Sequence, residues 1–563
     1  MRARPMGPVP GIALAVWLAL GCMALALAEQ PGAVRDAAGE VDPGPEAALP
    51  TAEELESLGA VIGRIRVVPG EIFDTSIPGE SGWLYRTANK LHISTRPSIV
   101  REQLLFASGE PYRQRLIEET ERLLRRNDYL YDATIVPVAF DGQTVDLEVR
   151  TRDVWTLNPG FSFGREGGEN KIGAQLEEKN LLGTGQQLKF EWNSNVDRES
   201  LSLTFFDPHF LDGFSRFELS YVDSDDGETK ILRLERPFYA LDTRRAAGLR
   251  LADNQRNDSR YVLGKRVGEF EHRAEYHEIY GGRSAGLRGS EVTRWTYGLT
   301  YHRDRFAPTP GEPLGGPLPG DRELLYPWLG IEYIQDRYQE RRNLDQIRRT
   351  EDVLVGLRAS ARLGLAADGL GSDRNALVLG AALQDGTDLS PGHSIFGHAS
   401  VSGRLEQDGI RNGLLVAEGR YYLQTTRRSK FYASASGALT EQLDEELQLL
   451  LGGDSGLRGY PLRYQAGNAR ALLTLEQRYY TDWYPFRLFH VGGAAFFDVG
   501  RTWGRDVTGA QSIGWLKDLG VGLRLGSSRS SFGNVIHIDL AFPLDGDESI
   551  DSVQLLVETK GSF

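Results

Sequence analysis

The chain closes on VQLLVETKGSF, residues 553–563, and the two faces of that stretch decide the fold. At the period of two that a strand imposes, Val553, Leu555, Val557, Thr559 and Gly561 share one face, and Gln554, Glu558 and Lys560 share the other. Leu556 is the exception. An apolar outside and a polar inside suit a strand with lipid on one flank and water on the other. In a membrane such a strand must belong to a closed barrel, because every backbone group needs a partner.

Working outward, the same period runs back to about Trp155. Asn170–Glu178, Gln187–Asn193, Ser200–Phe206, Phe217–Val222, Trp295–Tyr301, Val353–Leu363 and Leu414–Leu423 are strand-length and separated by Gly, Asp, Asn and Pro. Roughly sixteen to twenty such segments are countable. No repeat recurs at a blade-sized spacing, which disfavours a propeller. The composition agrees: 40% hydrophobic residues but 65 glycines and 10% aromatics suit polar-lumen β-structure better than a helical membrane protein. No stretch after residue 28 is long and apolar enough for a spanning helix. A net charge of -14 argues against nucleic acid as partner.

The connections near the end alternate in length. Arg470–Tyr480 turns tightly through 481–485 into Leu488–Gly500, whereas a longer loop, 501–513, precedes Trp515–Gly526. Val535–Pro543 then leads through an acidic loop to the last strand. Short turns on one side, with Trp483 and Tyr484 at a lipid interface, and long loops on the other fit an outer-membrane barrel. The Pro- and charge-rich segment 305–350 reads as an enlarged loop.

At the other terminus, Arg2 and Arg4, the apolar run Ile12–Leu20 and the small-x-small site Ala26-Leu27-Ala28 read as an export signal over 1–28. It contains Cys22, the only cysteine. Residues 29–56 read as a flexible acidic linker. A small α+β domain is expected over 57–153, before a barrel over 154–563. Its elements are a strand Val61–Val68, a helix from Pro97 to about Gly109, a helix Tyr112–Arg126 with Leu116, Thr120, Leu123 and Leu124 on one face, and strands Ala133–Phe140 and Val145–Arg150 joined at Asp141-Gly142.

One loop carries a candidate site. Residues 451–468, LGGDSGLRGYPLRYQAGN, hold Arg458 among glycines on the long-loop side. An arginine cannot escape burial by deprotonation, so an inward-folded loop needs carboxylate partners. Parity supplies two: Glu476 and Asp498 both fall on the lumen face of the next two strands. Gly456, Gly459 and Gly467 would allow the close approach. The plainer reading is an exposed, solvated loop.

Leu457-Arg458-Gly459-Tyr460, with Phe496-x-Asp498-x-Gly500 two strands later, resembles the signature pair of the BamA/TamA superfamily of outer-membrane assembly and translocation barrels. Glu178-Lys179-Asn180-Leu181-Leu182-Gly183-Thr184-Gly185 resembles that family's early-strand segment. Gly109-x-x-Tyr112 and the helix after it resemble a single polypeptide-transport-associated (POTRA) module. Five strand-length segments follow the loop, as they would in the family's barrel. The resemblance implies a mainly β protein with a sixteen-stranded antiparallel barrel in the bacterial outer membrane, and a β-α-α-β-β module in the periplasm. It implies a non-enzymatic role: an unfolded outer-membrane or secreted client is received, with periplasmic chaperones or accessory proteins as further partners. The client would pair with the POTRA sheet or with the seam between Trp155–Phe163 and Val553–Phe563. A dedicated two-partner secretion transporter, or a passive porin or receptor, are the alternatives.

Catalytic, cofactor and metal sites are not expected. The nine histidines form no metal-ligand spacing, and the Gly-Gly pairs lie in no phosphate-binding context. Arg341-Arg342 and Arg348-Arg349 read as solvated loop or rim charges, with lipopolysaccharide contact as a lesser alternative.

Overall fold

A computed structural model describes residues 49–563, apart from 78, 511, 528, 530–534, 547–549 and 561–563. The expected export signal, most of the expected linker and the terminal Phe563 lie outside the described residues. The linker ends earlier than its composition suggested, because Ala52–Ser57 forms helix α1. Thr51 and Glu54 cap it reciprocally, and Leu55 is fully buried in the neighbouring domain.

That domain contains β1 (Val61–Gly70), α2 (Trp83–Leu91), α3 (Pro97–Glu102), α4 (Gln114–Arg125), β2 (Leu130–Phe140) and β3 (Thr144–Asp153). The sheet order is β1-β3-β2, with β1 parallel and β2 antiparallel to β3. Ile62, Val100, Ile117, Leu124, Val145, Leu147 and Val149 form its core. Three details differ from the sequence reading. Helix α3 stops before Gln103 rather than near Gly109, because Phe106 leaves the helical path to enter the core. The buried face of α4 is Ile117, Thr120 and Leu124, one position round from the expected stripe. Helix α2 was not anticipated.

The remainder is a closed antiparallel barrel of twenty strands, from Leu157–Glu166 to Gln554–Lys560, not sixteen. Five strands follow the 451–468 loop as expected, so the additional ones precede it. The strand-like pattern reached twenty; the smaller number came from the family resemblance. Long wall strands, such as the 24 residues of Lys265–Arg288, run about 80 Å if fully extended, well beyond a bilayer's apolar core. Alternation holds where lipid is expected. In Leu516–Ser527, Leu519, Val521 and Leu523 face outward while Asp518 and Arg524 are fully buried. In the last strand Leu555 is exposed outside, as is Val553 just before it, and Gln554 is buried inside. The exceptional Leu556 packs inside against Phe496 and Ala541.

Two segments were misassigned. Val353–Leu363 is not one strand: Thr350–Leu354 pairs with Tyr338–Arg342 in a separate hairpin, and Arg358–Ala366 is the eleventh barrel strand. Likewise 305–350 is not one loop. Barrel strand Arg322–Gln335 divides it, leaving connection 309–321 at the far end and 336–357, which holds the hairpin, at the end nearest the small domain.

Candidate functional site

The barrel interior is filled from both ends. At the far end, residues 451–468 fold inward on a short two-stranded ladder, Leu449–Leu451 with Gln465–Gly467. Leu457 and Tyr460 are fully buried and form a small apolar nucleus with Leu451, Tyr464 and Leu516. The Tyr460 hydroxyl donates to Lys517 O at 2.7 Å. Gly456 has φ +105°. A Cβ on Gly459 would lie 2.6 Å from Asp518 Cβ, so only glycine lets the loop sit this close to the wall. Arg463 donates two bonds to Asp197 at 2.6 and 2.5 Å, tying the loop to the turn between the third and fourth barrel strands.

Arg458 sits at the centre. Nε and Nη2 donate to Asp498 Oδ2 and Oδ1 at 2.7 and 2.9 Å, and Nη1 donates to Glu476 Oε1 at 2.8 Å. The guanidinium also lies 3.4 Å from the centroid of the Phe496 ring, so a cation–π contact covers one face. Gly500 lies against Leu451 and Leu472, where a Cβ would be crowded. Thus Leu457, Arg458, Gly459, Tyr460, Glu476, Phe496, Asp498 and Gly500 come together. Val557 is elsewhere, at the seam, opposite Arg165. Among the described residues this is the seam's only paired position.

The network extends beyond the residues expected from the sequence. Arg478 donates to Glu476 Oε2 at 3.0 Å, Arg524 pairs with Asp539, and Asp539 Oδ2 lies 3.6 Å from Arg458 Nη1. Asp518 stands opposite Asp498 in register. Three guanidinium groups are therefore interleaved with three carboxylates, Glu476, Asp498 and Asp539, all at most 6% exposed, while Asp518 is buried beside them with neither carboxyl oxygen hydrogen-bonded. Such a cluster stands only if its members satisfy one another. Arg524 and Asp539 were within reach of the parity argument that singled out Glu476 and Asp498.

The second insert is the 336–357 segment at the small-domain end. Leu344 and Val355 pack on Phe396 and Tyr422, and Ile347 packs on Tyr480, Ala494 and Val535. Asn343 O accepts from Lys430 Nζ at 2.7 Å and from Tyr480 at 3.0 Å, while Asp345 accepts from Tyr422 at 2.9 Å. Leu344 O accepts from Arg478 Nη1 at 2.9 Å. Arg478 therefore links this insert to Glu476, the wall carboxylate that also holds Arg458.

The hairpin is also tied to the small domain. Arg125 of α4 donates to Asp352 at 2.8 and 2.6 Å and to Glu340 at 2.9 Å. Its Nη1 donates to Ala133 O at 3.1 Å on the open edge of β2, where Ile135 N donates to Glu121 Oε1 at 2.6 Å. The arginine pairs are accordingly not simply solvated. Arg341 meets Asp388, Arg348 meets Asp482, and Arg349 donates to Leu130 O at 3.4 Å. Each contact lies at the end away from the 451–468 loop.

His537, Asp539 and Glu558 are close enough to share a cation. Asp539, however, is already engaged by Arg524 and approached by Arg458, which supply the positive charge there.

No family model matches the chain. Among solved structures it is similar to CdiB from Acinetobacter baumannii (12% identity, 89% of this chain and 73% of that one, TM-score 0.45). It is also similar to CdiB from Escherichia coli (13%, 90% and 77%, TM-score 0.44). A third is BamA from Haemophilus ducreyi lacking POTRA domains 1-3 (12%, 88% and 84%, TM-score 0.38). These likenesses are loose; the functional reading rests on the loop arginine and its surroundings.

Proposed function

We propose that this chain is a non-enzymatic outer-membrane barrel of BamA/TamA type that takes unfolded polypeptide from the periplasm and assists its insertion into, or passage across, the membrane. The observation that carries this reading is the clamping of Arg458 by Asp498 and Glu476 over Phe496 inside a closed barrel. A passive pore needs no loop locked across its interior by a buried ion network. In this reading the small domain is a POTRA-like module in the periplasm.

The client would enter as an extended strand. The open edge of β2 offers Ala133 O and Ile135 N, now occupied by Arg125 and Glu121. A client strand adding there replaces both side chains with backbone partners. Since Arg125 also holds Asp352 and Glu340, its displacement loosens the hairpin and with it the Leu344 contact to Arg478. For an inserted client, the seam where Val557 faces Arg165 is the exit.

A second reading, a transporter dedicated to one secreted partner, is favoured by the hairpin itself: a displaceable insert at the inner mouth suits a route through the lumen rather than the seam. Depletion of the protein followed by quantification of outer-membrane and secreted proteins separates the readings. Loss of many barrels supports an assembly factor, and loss of one secreted protein supports the transporter. An unchanged proteome overturns both and leaves a porin or receptor.

A further inference from the structure

Helix α2 shows its apolar side to solvent. Trp83, Leu84 and Leu91 are 72%, 59% and 68% exposed. At the helical period, Trp83, Leu84, Thr87 and Leu91 fall within an arc of about 100°. The opposite sector, Tyr85, Asn89 and the following His92, faces the protein. Asn89 Nδ2 donates to Phe73 O at 2.7 Å, the Tyr85 and Phe73 rings are 4.8 Å apart, and His92 Nε2 lies 3.1 Å from Asp153 Oδ2. Arg86 and Lys90, both exposed, border the apolar arc on one side. The sector is turned away from its own domain by specific contacts, not left over from poor packing.

The segment that leads into the helix, from Ile72 to Glu80, is bolted to the barrel rim. Arg529, in the turn after Leu516–Ser527, donates to Glu80 Oε1 at 2.6 Å and to Ile72 O, and its guanidinium lies 5.1 Å from the Phe73 ring centroid. Arg529 Nε donates to Tyr484 in the next turn at 3.2 Å, and Arg487 of that turn lies against Gly79. Trp483 and Phe486, exposed at the same rim, continue the lipid-facing surface of the barrel. Leu182 and Leu211, at other turns on this end, are also exposed.

We propose that α2 is an interfacial anchor that lies in the membrane leaflet on the small domain's side, with Trp83, Leu84 and Leu91 among the upper acyl chains and Arg86 and Lys90 at anionic phospholipid headgroups. The surface is convex and tryptophan-bearing, has a basic border and is continuous with the barrel's apolar belt; those are the properties of a helix lying in a bilayer interface. A client peptide would instead call for a groove or an open strand edge. The anchor fixes the height and tilt of the small domain under the barrel, whichever cargo the barrel handles.

The test uses the full-length protein carrying Cys22→Ser, reconstituted in mixed phosphatidylcholine–phosphatidylglycerol vesicles, with bimane attached at Leu84→Cys or Leu91→Cys. Gln143→Cys, exposed at the distant turn of the domain's hairpin, is the control. Doxyl-labelled lipids should quench positions 84 and 91 severalfold more than position 143, and aqueous iodide should do the reverse. Lys90→Gln should leave about fivefold fewer helices docked in a regime where docking is incomplete. Full iodide access at 84 and 91 with no lipid quenching overturns the proposal. So does protection that appears only on adding an unfolded client, or only as energy transfer between labelled copies, since either outcome assigns the surface to a protein partner.

Discussion

The two inserts, connected through Glu476 and Arg478 of the wall strand between them, are built on different physics. The far-end loop is held by a buried ion cluster, in which Arg458 and its carboxylates are at most 6% exposed. The hairpin is held by apolar contacts to the wall, by backbone carbonyls, and by half-open ion pairs to α4; the Glu340 side chain is 60% exposed. A charge cluster of the first kind is costly to break from one side, because each loss strands a charge in low dielectric. Contacts of the second kind can be given up singly. The barrel therefore has one fixed insert and one releasable insert.

The largest effect should come from removing the releasable insert. Replacing Tyr338–Leu354 by an Asn-Gly turn should convert a closed barrel into a conducting one in planar bilayers, while the loop remains protected from protease; unchanged conductance would mean that the loop seals the barrel alone. Next in size, Arg458→Ala should weaken loop seating by about 3–5 kcal/mol and expose 451–468 to protease in the assembled barrel. Arg458→Lys should recover little of this, because an ammonium cannot make the two-pronged contact with Asp498.

Arg125→Ala tests the opposite side and should cost only about 1 kcal/mol, since part of its pairing is solvent-screened. It should raise hydrogen exchange across 338–354 and leave 451–468 unchanged; equal effects on both would erase the distinction between the inserts. The smallest effect is a pH dependence. Burial pushes the Glu121 carboxyl up to about 7, against the opposing bond from Ile135 N–H. A carboxyl raised in the folded state contributes stability below its ordinary range and loses it as pH rises through that value. Thermal unfolding of the small domain in the intact protein should therefore occur at a lower temperature at about pH 8 than at about pH 5.5.

What was legible in the sequence was whatever parity governs. Alternation placed Glu476 and Asp498 on the inner face and Leu555 and Val553 outside, because a strand between lipid and a filled lumen leaves no freedom in which side chain points where. The same rule could have given Arg524 and Asp539. It could not give the hairpin. Asn343, Leu344 and Asp345 carry no periodic signal, and the hydrogen bonds that two of them accept go to backbone carbonyls, which every residue possesses. Helix α2 was missed for a related reason: a nine-residue helix whose apolar face looks outward lacks the core-facing stripe by which surface helices are recognised. The strand number escaped because nothing local counts strands; closure is a property of the whole ring.

That ring has a geometric consequence. Barrel diameter rises almost in proportion to strand number, so twenty strands enclose roughly half again the cross-section of sixteen. A loop of the length found here, even braced by Arg458 on one pair of strands and by Arg463 on Asp197 farther round the ring, becomes a crossbar rather than a lid. The hairpin supplies the missing cover from below, so a wider aperture and a second closure belong to the same design. Strands added without the hairpin would leave a hole, and a hairpin added to a narrower ring would find no room.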